Sequence, residues 1–221
     1  MWRKFDLFYD PCYTLSSVTS NKEDMIDMKA LTARLTFMDA AIHKVGILWD
    51  AILVVGFACL TAAFAQISFW LGPVPITGQT FAVLLAGALL GSRRGALSQL
   101  SYLAIGATGI PYWFALGGPP GIARLAGPTG GYLIGFVAVA FFVGWLAERG
   151  WDRRVWTAAL AMLAGDVVLY VFGLSWLAHF VPGDTVLQVG LYPFIVGDLL
   201  KIVAAALILP SGWLFLQRFK G

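Results

Sequence analysis

Charge is scarce in this chain, and so are cysteine and histidine. Only 12% of its 221 residues are Asp, Glu, Lys or Arg, against roughly 25% in soluble domains. That is too few to solvate the surface of an ordinary water-soluble fold. The two cysteines, Cys12 and Cys59, fall in a polar leader and an apolar run respectively, so neither a disulfide nor a metal site is expected from them. The two histidines form no H-E-x-x-H pattern, which argues against a membrane metalloprotease. The chain has no G-x-x-x-x-G-K-[ST] loop, so it is not expected to hydrolyse ATP itself. The cations form no stripe, which gives no reason to invoke nucleic acid. No cleavable signal peptide is evident, because the first apolar run is too long and lacks a small-residue cleavage site. No metal or organic cofactor is expected.

What is present is apolar: 59% of the residues are hydrophobic. Six apolar runs lie near Ile47–Ile67, Val74–Leu90, Ala96–Ile110, Thr129–Ala147, Val155–Leu177 and Leu191–Leu216. A membrane-spanning helix needs about 20 residues, with a range near 17–25. Runs one, four, five and six fit; runs two and three are short and joined only by Gly91-Ser92-Arg93-Arg94-Gly95. A re-entrant pair would hold Arg93 and Arg94 at membrane depth, at a few kcal/mol each. Two spans with both arginines in the cytoplasm cost less. In that six-span arrangement all 15 lysines and arginines except Arg124 and Lys201 fall on one side. The asymmetry places both termini in the cytoplasm. The expected fold is an all-α membrane protein of six transmembrane helices, over residues 46–217.

Two segments precede that domain. Residues 1–27 are expected to be a disordered leader or an untranslated extension, since Met25, Met28 and Met38 offer later starts. Over residues 28–45, Met28, Leu31, Leu35, Met38, Ile42 and Val45 recur at three- and four-residue steps. This pattern predicts an amphipathic helix that lies on the inner membrane surface in contact with lipid, or alternatively meets a cytoplasmic partner.

Asp50 and Asp166 are expected near the cytoplasmic ends of their spans. Asp198 and Lys201 are different. Tyr192-Pro193 opens run six, which puts Asp198 about 8 Å and Lys201 about 12 Å below its start, on one helix face. They are either a self-neutralising pair or a ligand site, and intramembrane charge favours a site. Ala58 and Ala62, then Ala82, Ala86, Gly87 and Gly91, form small-xxx-small steps that mark close helix contacts. Ala58 and Ala62 are also candidates for docking another membrane subunit. Ser175 and His179 stand four residues apart on one helix, as a serine–histidine hydrolase needs. Trp176, however, crowds the place of an oxyanion pocket, so no catalytic residue is assigned.

Gly127-Pro128-Thr129-Gly130-Gly131-Tyr132-Leu133 reads as a tight, side-chain-poor turn at a helix mouth, either a cap or a place where a small ligand meets backbone. It belongs to a longer order of motifs: Ala62-Ala63, Val74-Pro75-Ile76-Thr77-x-Gln79-Thr80-Phe81, Gly87-x-x-Leu90-Gly91-x-x-x-Gly95, Gly106-x-x-Gly109-x-Pro111, and Gly127 through Phe136. That order resembles the BioY family, the biotin S-components of energy-coupling-factor (ECF) transporters, from about residue 47 to 216. The resemblance implies a six-helix S-component bundle in a bacterial inner (plasma) membrane that binds biotin near the outer surface. It implies a transmembrane T-component and two ATPase subunits as partners. The family's acidic and basic positions in the last helix fall on Asp198 and Lys201, and the loop Ser68–Gln79 would act as a lid. On this reading Asp198 accepts from the ureido N–H groups, and Lys201 donates to the ureido oxygen or the carboxylate. Thr77 and Gln79 add neutral hydrogen bonds. Arg124 meets either the carboxylate or lipid phosphate. Trp113, Tyr132 and Trp176 either wall the apolar side or belong to an interfacial belt. An S-component for another vitamin and an intramembrane serine hydrolase are the alternatives.

Overall fold

The computed structural model describes residues 36–41, 46–70 and 72–220. The expected leader and most of the expected amphipathic helix lie outside these residues. The described part of that helix is α1 (Phe37–Ala41). It is followed by α2 (Ile47–Ala65), β1 (Ser68–Phe69), β2 (Ile76–Thr77), α3 (Gln79–Leu90), α4 (Ser92–Ala107) and α5 (Ile122–Ala126). After these come α6 (Gly130–Ala147), a 3₁₀ turn at Trp151–Arg153, α7 (Val155–Leu177), α8 (Val186–Gly190) and α9 (Ile195–Lys220). The described residues are thus mostly helical, with one short antiparallel hairpin among them that pairs Ser68 with Thr77 and Phe69 with Ile76.

Among the described residues, four segments are long and apolar enough to cross a membrane: α2, α6, α7 and the stretch 186–218 that contains α9. At 12 and 16 residues, α3 and α4 are shorter. Helix α6 is the most enclosed of the long helices and α2 the least. Around α6 pack α7, α3 and α4, while α9 leans on α7 and α3. Close approach explains this centre. A Cβ on Gly144 would come within 2.4 Å of the Gly91 and Ser92 backbone, and one on Gly87 within 2.6 Å of the Ala140 carbonyl oxygen. Ala82 and Ala86 are buried with them, so the small-residue steps of α3 do mark helix contacts. Between α2 and α4, buried Gln99 donates to Thr61 Oγ1 at 3.2 Å, a polar bond in an otherwise apolar seam.

Two boundaries differ from the sequence expectation. The turn between runs two and three is the single residue Gly91 (φ 84°), and Ser92, Arg93, Arg94 and Gly95 already belong to α4. So short a reversal holds because Glu148, just after α6, caps α4: its Oε1 accepts from Ser92 N at 2.7 Å and from Ser92 Oγ at 2.8 Å. An anion there satisfies a free N–H and complements the helix dipole. The last helix begins at Ile195, because Leu191–Phe194 form turns, so Asp198 lies in its first turn. At 1.5 Å per residue, Asp198 and Lys201 are only about 4.5 Å and 9 Å from the helix start.

The end of the bundle away from the hairpin is held by polar contacts. Arg94 bridges Asp39 at 2.5 Å and Asp50 at 2.9 Å. Thr36 Oγ1 caps α1 through Asp39 N at 3.2 Å. Phe37 meets Trp213 edge-on, with ring centroids 5.5 Å apart. The Trp213 indole N–H donates to Asp152 Oδ2 at 2.5 Å. Asp152 is almost fully buried, and burial raises its pKa.

Candidate functional site

A small pocket of about 40 Å³ lies beneath the hairpin, less than a small-molecule ligand fills, so a ligand enters only as the walls or the hairpin give way. The hairpin and the start of α3 contribute Val74, Pro75, Thr77, Gln79 and Thr80. The connection before α5, and α5 itself, contribute Phe114 and Arg124. Thr129, Tyr132, Leu133 and Phe136 come from the mouth of α6, Leu169 and Tyr170 from α7, and Phe194, Asp198 and Lys201 from the start of α9. All six of the expected ligand-contact residues therefore lie around one cavity.

Its floor is a buried charge network. Lys201 Nζ donates to Asp198 Oδ1 at 3.0 Å and to Thr80 Oγ1 at 2.7 Å. The Tyr170 hydroxyl donates to Asp198 Oδ2. Both oxygens of this nearly inaccessible carboxylate are thus engaged, the condition under which a buried ion pair is tolerated. Neither Tyr170 nor Thr80 is picked out as a ligand residue by the sequence. Asp166 departs from its expected place near a helix end. It sits mid-way along α7, buried, with Oδ1 unpartnered among the described residues. It lies in electrostatic reach of Asp198 and Lys201, and a crevice between α7 and α9 touches Asp166, Tyr170 and Asp198 from the other side.

On the hairpin side, neutral groups are bonded to one another. Thr77 Oγ1 donates to Gln79 Oε1 at 2.7 Å, and Gln79 Nε2 donates to the Tyr102 hydroxyl at 2.5 Å and to the Phe114 carbonyl at 2.9 Å. Tyr132 donates to the Gly190 carbonyl at 2.8 Å and stacks on Phe194, with centroids 6.4 Å apart. The third charge is Arg124. It is buried, its Nη1 donates to the Gly117 carbonyl at 2.9 Å, and its guanidinium lies 5.1 Å from the Trp70 ring centroid. Burial lowers its pKa, opposed in part by Tyr102. Among the described residues no carboxylate pairs with it, so the pocket lining carries one cation in excess of the Asp198–Lys201 pair.

Several expectations resolve differently. Trp113 stacks on Tyr102 behind the wall, and Phe114 is the residue that faces the cavity. Trp176 is absent from the lining; its indole N–H donates to the Gly127 carbonyl at 3.0 Å and so pins the glycine-rich turn. In that turn, Cβ atoms on Gly130 and Gly131 would meet the Leu125 backbone and Trp176. Those two glycines therefore serve helix approach, while Thr129 and Tyr132 face the pocket. Ala58 and Ala62 point into the core, and the outward face of α2 shows Ile52, Val55 and Cys59 instead. The Ser175 hydroxyl is bonded to the Val171 carbonyl of its own helix, and His179 to that of Trp176.

The model of the BioY family matches residues 29–218. A probable biotin transporter BioY of Pyrococcus horikoshii is 44% identical over 156 residues, which are 71% of this chain and 91% of that protein. A biotin transporter BioY of Rhizobium etli is 42% identical over 167 residues, 67% of this chain and 88% of that one. Among solved structures, the S-component for biotin from an ECF-type ABC transporter superposes with a TM-score of 0.58 at 25% identity. That match covers 87% of this chain and 94% of that one.

Proposed function

We infer, from the premise that the chain belongs to the BioY family, that it is the biotin-binding S-component of an uptake transporter. It is a multi-pass membrane protein. We read six spans with both termini in the cytoplasm. Support comes from α3 and α4, which meet at one residue and pack on α6, and from the one-sided placement of the cations. On this orientation the hairpin end is the outer end, and the pocket opens where a ligand arrives from outside.

The observation that carries the reading is the charge pattern of the pocket lining: the Asp198–Lys201 pair on α9, and the buried Arg124 on α5 with no carboxylate partner among the described residues, with aromatic and aliphatic residues completing the wall. Biotin has the complementary pattern. Its ureido group offers two donors and one acceptor to Asp198 and Lys201, its sulfur side is apolar, and its valerate carboxylate trails toward Arg124. Thr77 and Gln79 are bonded to each other and to neighbouring groups, so a hydrogen bond donated by either to ligand requires that one of these bonds be exchanged. The hairpin is read as the lid over the pocket. The chain has no ATP-binding loop, so the drive for import comes from partner subunits: a T-component and two ATPases. The role is capture and carriage, with no bond made or broken.

Isothermal titration of the purified protein with biotin, thiamin and riboflavin tests the reading. Tight binding of biotin alone, without ATP, is expected. Tight binding of thiamin or riboflavin with no heat from biotin refutes it in favour of another vitamin.

A further inference from the structure

Arg124 is held in an unusual way for a buried cation. No carboxylate neutralises it among the described residues, and its side chain makes one hydrogen bond, to the Gly117 carbonyl. Its guanidinium face rests on Trp70, just past β1. Trp70 is exposed on its outer side, and its indole N–H donates to the Leu116 carbonyl at 2.7 Å. The connection that supplies both carbonyls turns through Gly117 (φ 79°) and Gly118 (φ 78°). A Cβ on Gly118 would come 1.9 Å from Arg124 Nη1, so the backbone there is shaped around the guanidinium. A guanidinium carries five donors. One meets Gly117, and the residue lines the pocket. Stacking on an indole holds a cation without neutralising it, and desolvation strengthens its pull on an anion. Burial of this side chain also leaves little of it for lipid phosphate.

We propose that Trp70 is a positioning residue, which holds the Arg124 guanidinium toward the pocket as a preformed receptor for the ligand's carboxylate, so that the site selects free biotin over forms whose side chain ends in an uncharged amide. The proposal rests on the biotin reading and adds to it a residue and a specificity. An amide-linked biotin, such as one joined to the side-chain amine of a lysine, brings no negative charge and leaves the buried guanidinium uncompensated. A charge-assisted hydrogen bond of this kind corresponds to roughly a 10- to 100-fold preference.

The test compares affinities for biotin and for biotinamide, its neutral near-isostere, in the detergent-purified full chain. Wild type is expected to bind biotin at least roughly tenfold more tightly than biotinamide. Arg124→Met should remove that preference by weakening biotin while leaving biotinamide nearly unchanged. Trp70→Leu should do the same in lesser degree, and should add nothing further to the preference in the Arg124→Met background. Trp70→Phe keeps a ring and should restore most of it. A preference unchanged in Trp70→Leu, or equal losses for both ligands, overturns the positioning role. Equal wild-type affinity for the two ligands overturns the carboxylate receptor while leaving the biotin reading intact. A wild-type protein that binds neither contradicts the biotin reading itself.

Discussion

Removing both charges from the pocket floor separates two roles that single substitutions confuse. Asp198 is buried, Lys201 is largely covered, and the two are joined at 3.0 Å. If Lys201→Met is made alone, the Asp198 carboxylate loses its counter-ion and keeps only the Tyr170 hydroxyl. If Asp198→Asn is made alone, the ammonium is left with Thr80 and a neutral amide. Breaking a buried pair from one side costs about 3–5 kcal/mol of stability. The double variant Asp198→Asn with Lys201→Met is different. The amide still accepts from Tyr170, the Met fills the lysine's volume, and no uncompensated charge remains. Replacement of a whole buried pair is near neutral in stability, so the double variant should melt close to wild type and well above either single variant. Its biotin affinity should stay low, because each lost charge-assisted hydrogen bond is worth about 1.5–3 kcal/mol. That is roughly a tenfold loss or more for each contact. Melting temperature and calorimetric affinity, measured on the same preparation, decide the matter. Near-native affinity in a well-folded double variant refutes the assignment, and the ureido partners must then be sought among Thr77, Gln79 and Tyr132.

Three further outcomes follow from the packing. Gly144→Ala should destabilise the bundle by a few kcal/mol, since the new methyl would lie 2.4 Å from the Gly91 and Ser92 backbone; a melting temperature equal to wild type would show that α6 can move away from that turn. Ala58→Leu should cost about 1–3 kcal/mol through overpacking, because Ala58 is fully buried; a stable Ala58→Leu protein that loses only its association with a T-component would restore the docking role. Asp152 has a pKa raised by burial above its ordinary 3.8, although the Trp213 N–H bond opposes the shift. A raised carboxyl pKa contributes stability that is full below the unfolded value and lost as pH rises through the folded one. The melting temperature of wild type relative to Asp152→Asn should therefore fall as pH rises from about 3.8, and a flat difference would contradict the burial of that carboxyl.

The charged members of the site are legible in the sequence and its walls are not, for a physical reason. Asp198 and Lys201 stand out because ionisable residues inside apolar runs are costly, and Arg124 because almost every other cation lies on the opposite side. Thr77, Gln79 and Tyr132 come with the motif order. Phe114, Phe194 and Tyr170 have no such signal: aromatics make up 14% of the chain, and nothing in composition separates a ring on the pocket from one on lipid. Trp113 and Trp176 fail for the same reason, as they pack behind the wall and under the glycine-rich turn. Helix faces are equally hidden. A helix surrounded by lipid is apolar on every side, so α2 shows no stripe to tell that Ala58 turns inward and Cys59 outward. Asp166 is placed at a helix end by its distance in sequence from the arginines after α6, whereas the 23-residue length of α7 carries it to mid-helix. The one-residue turn at Gly91 depends on Glu148, 56 positions away, a contact that no local pattern announces.

Ligand identity is the most direct test of the central claim. Titration of the purified chain with biotin in the absence of ATP and of any partner subunit should show tight, one-to-one binding, with thiamin and riboflavin silent. Absence of biotin binding in a preparation that melts cooperatively would contradict the account.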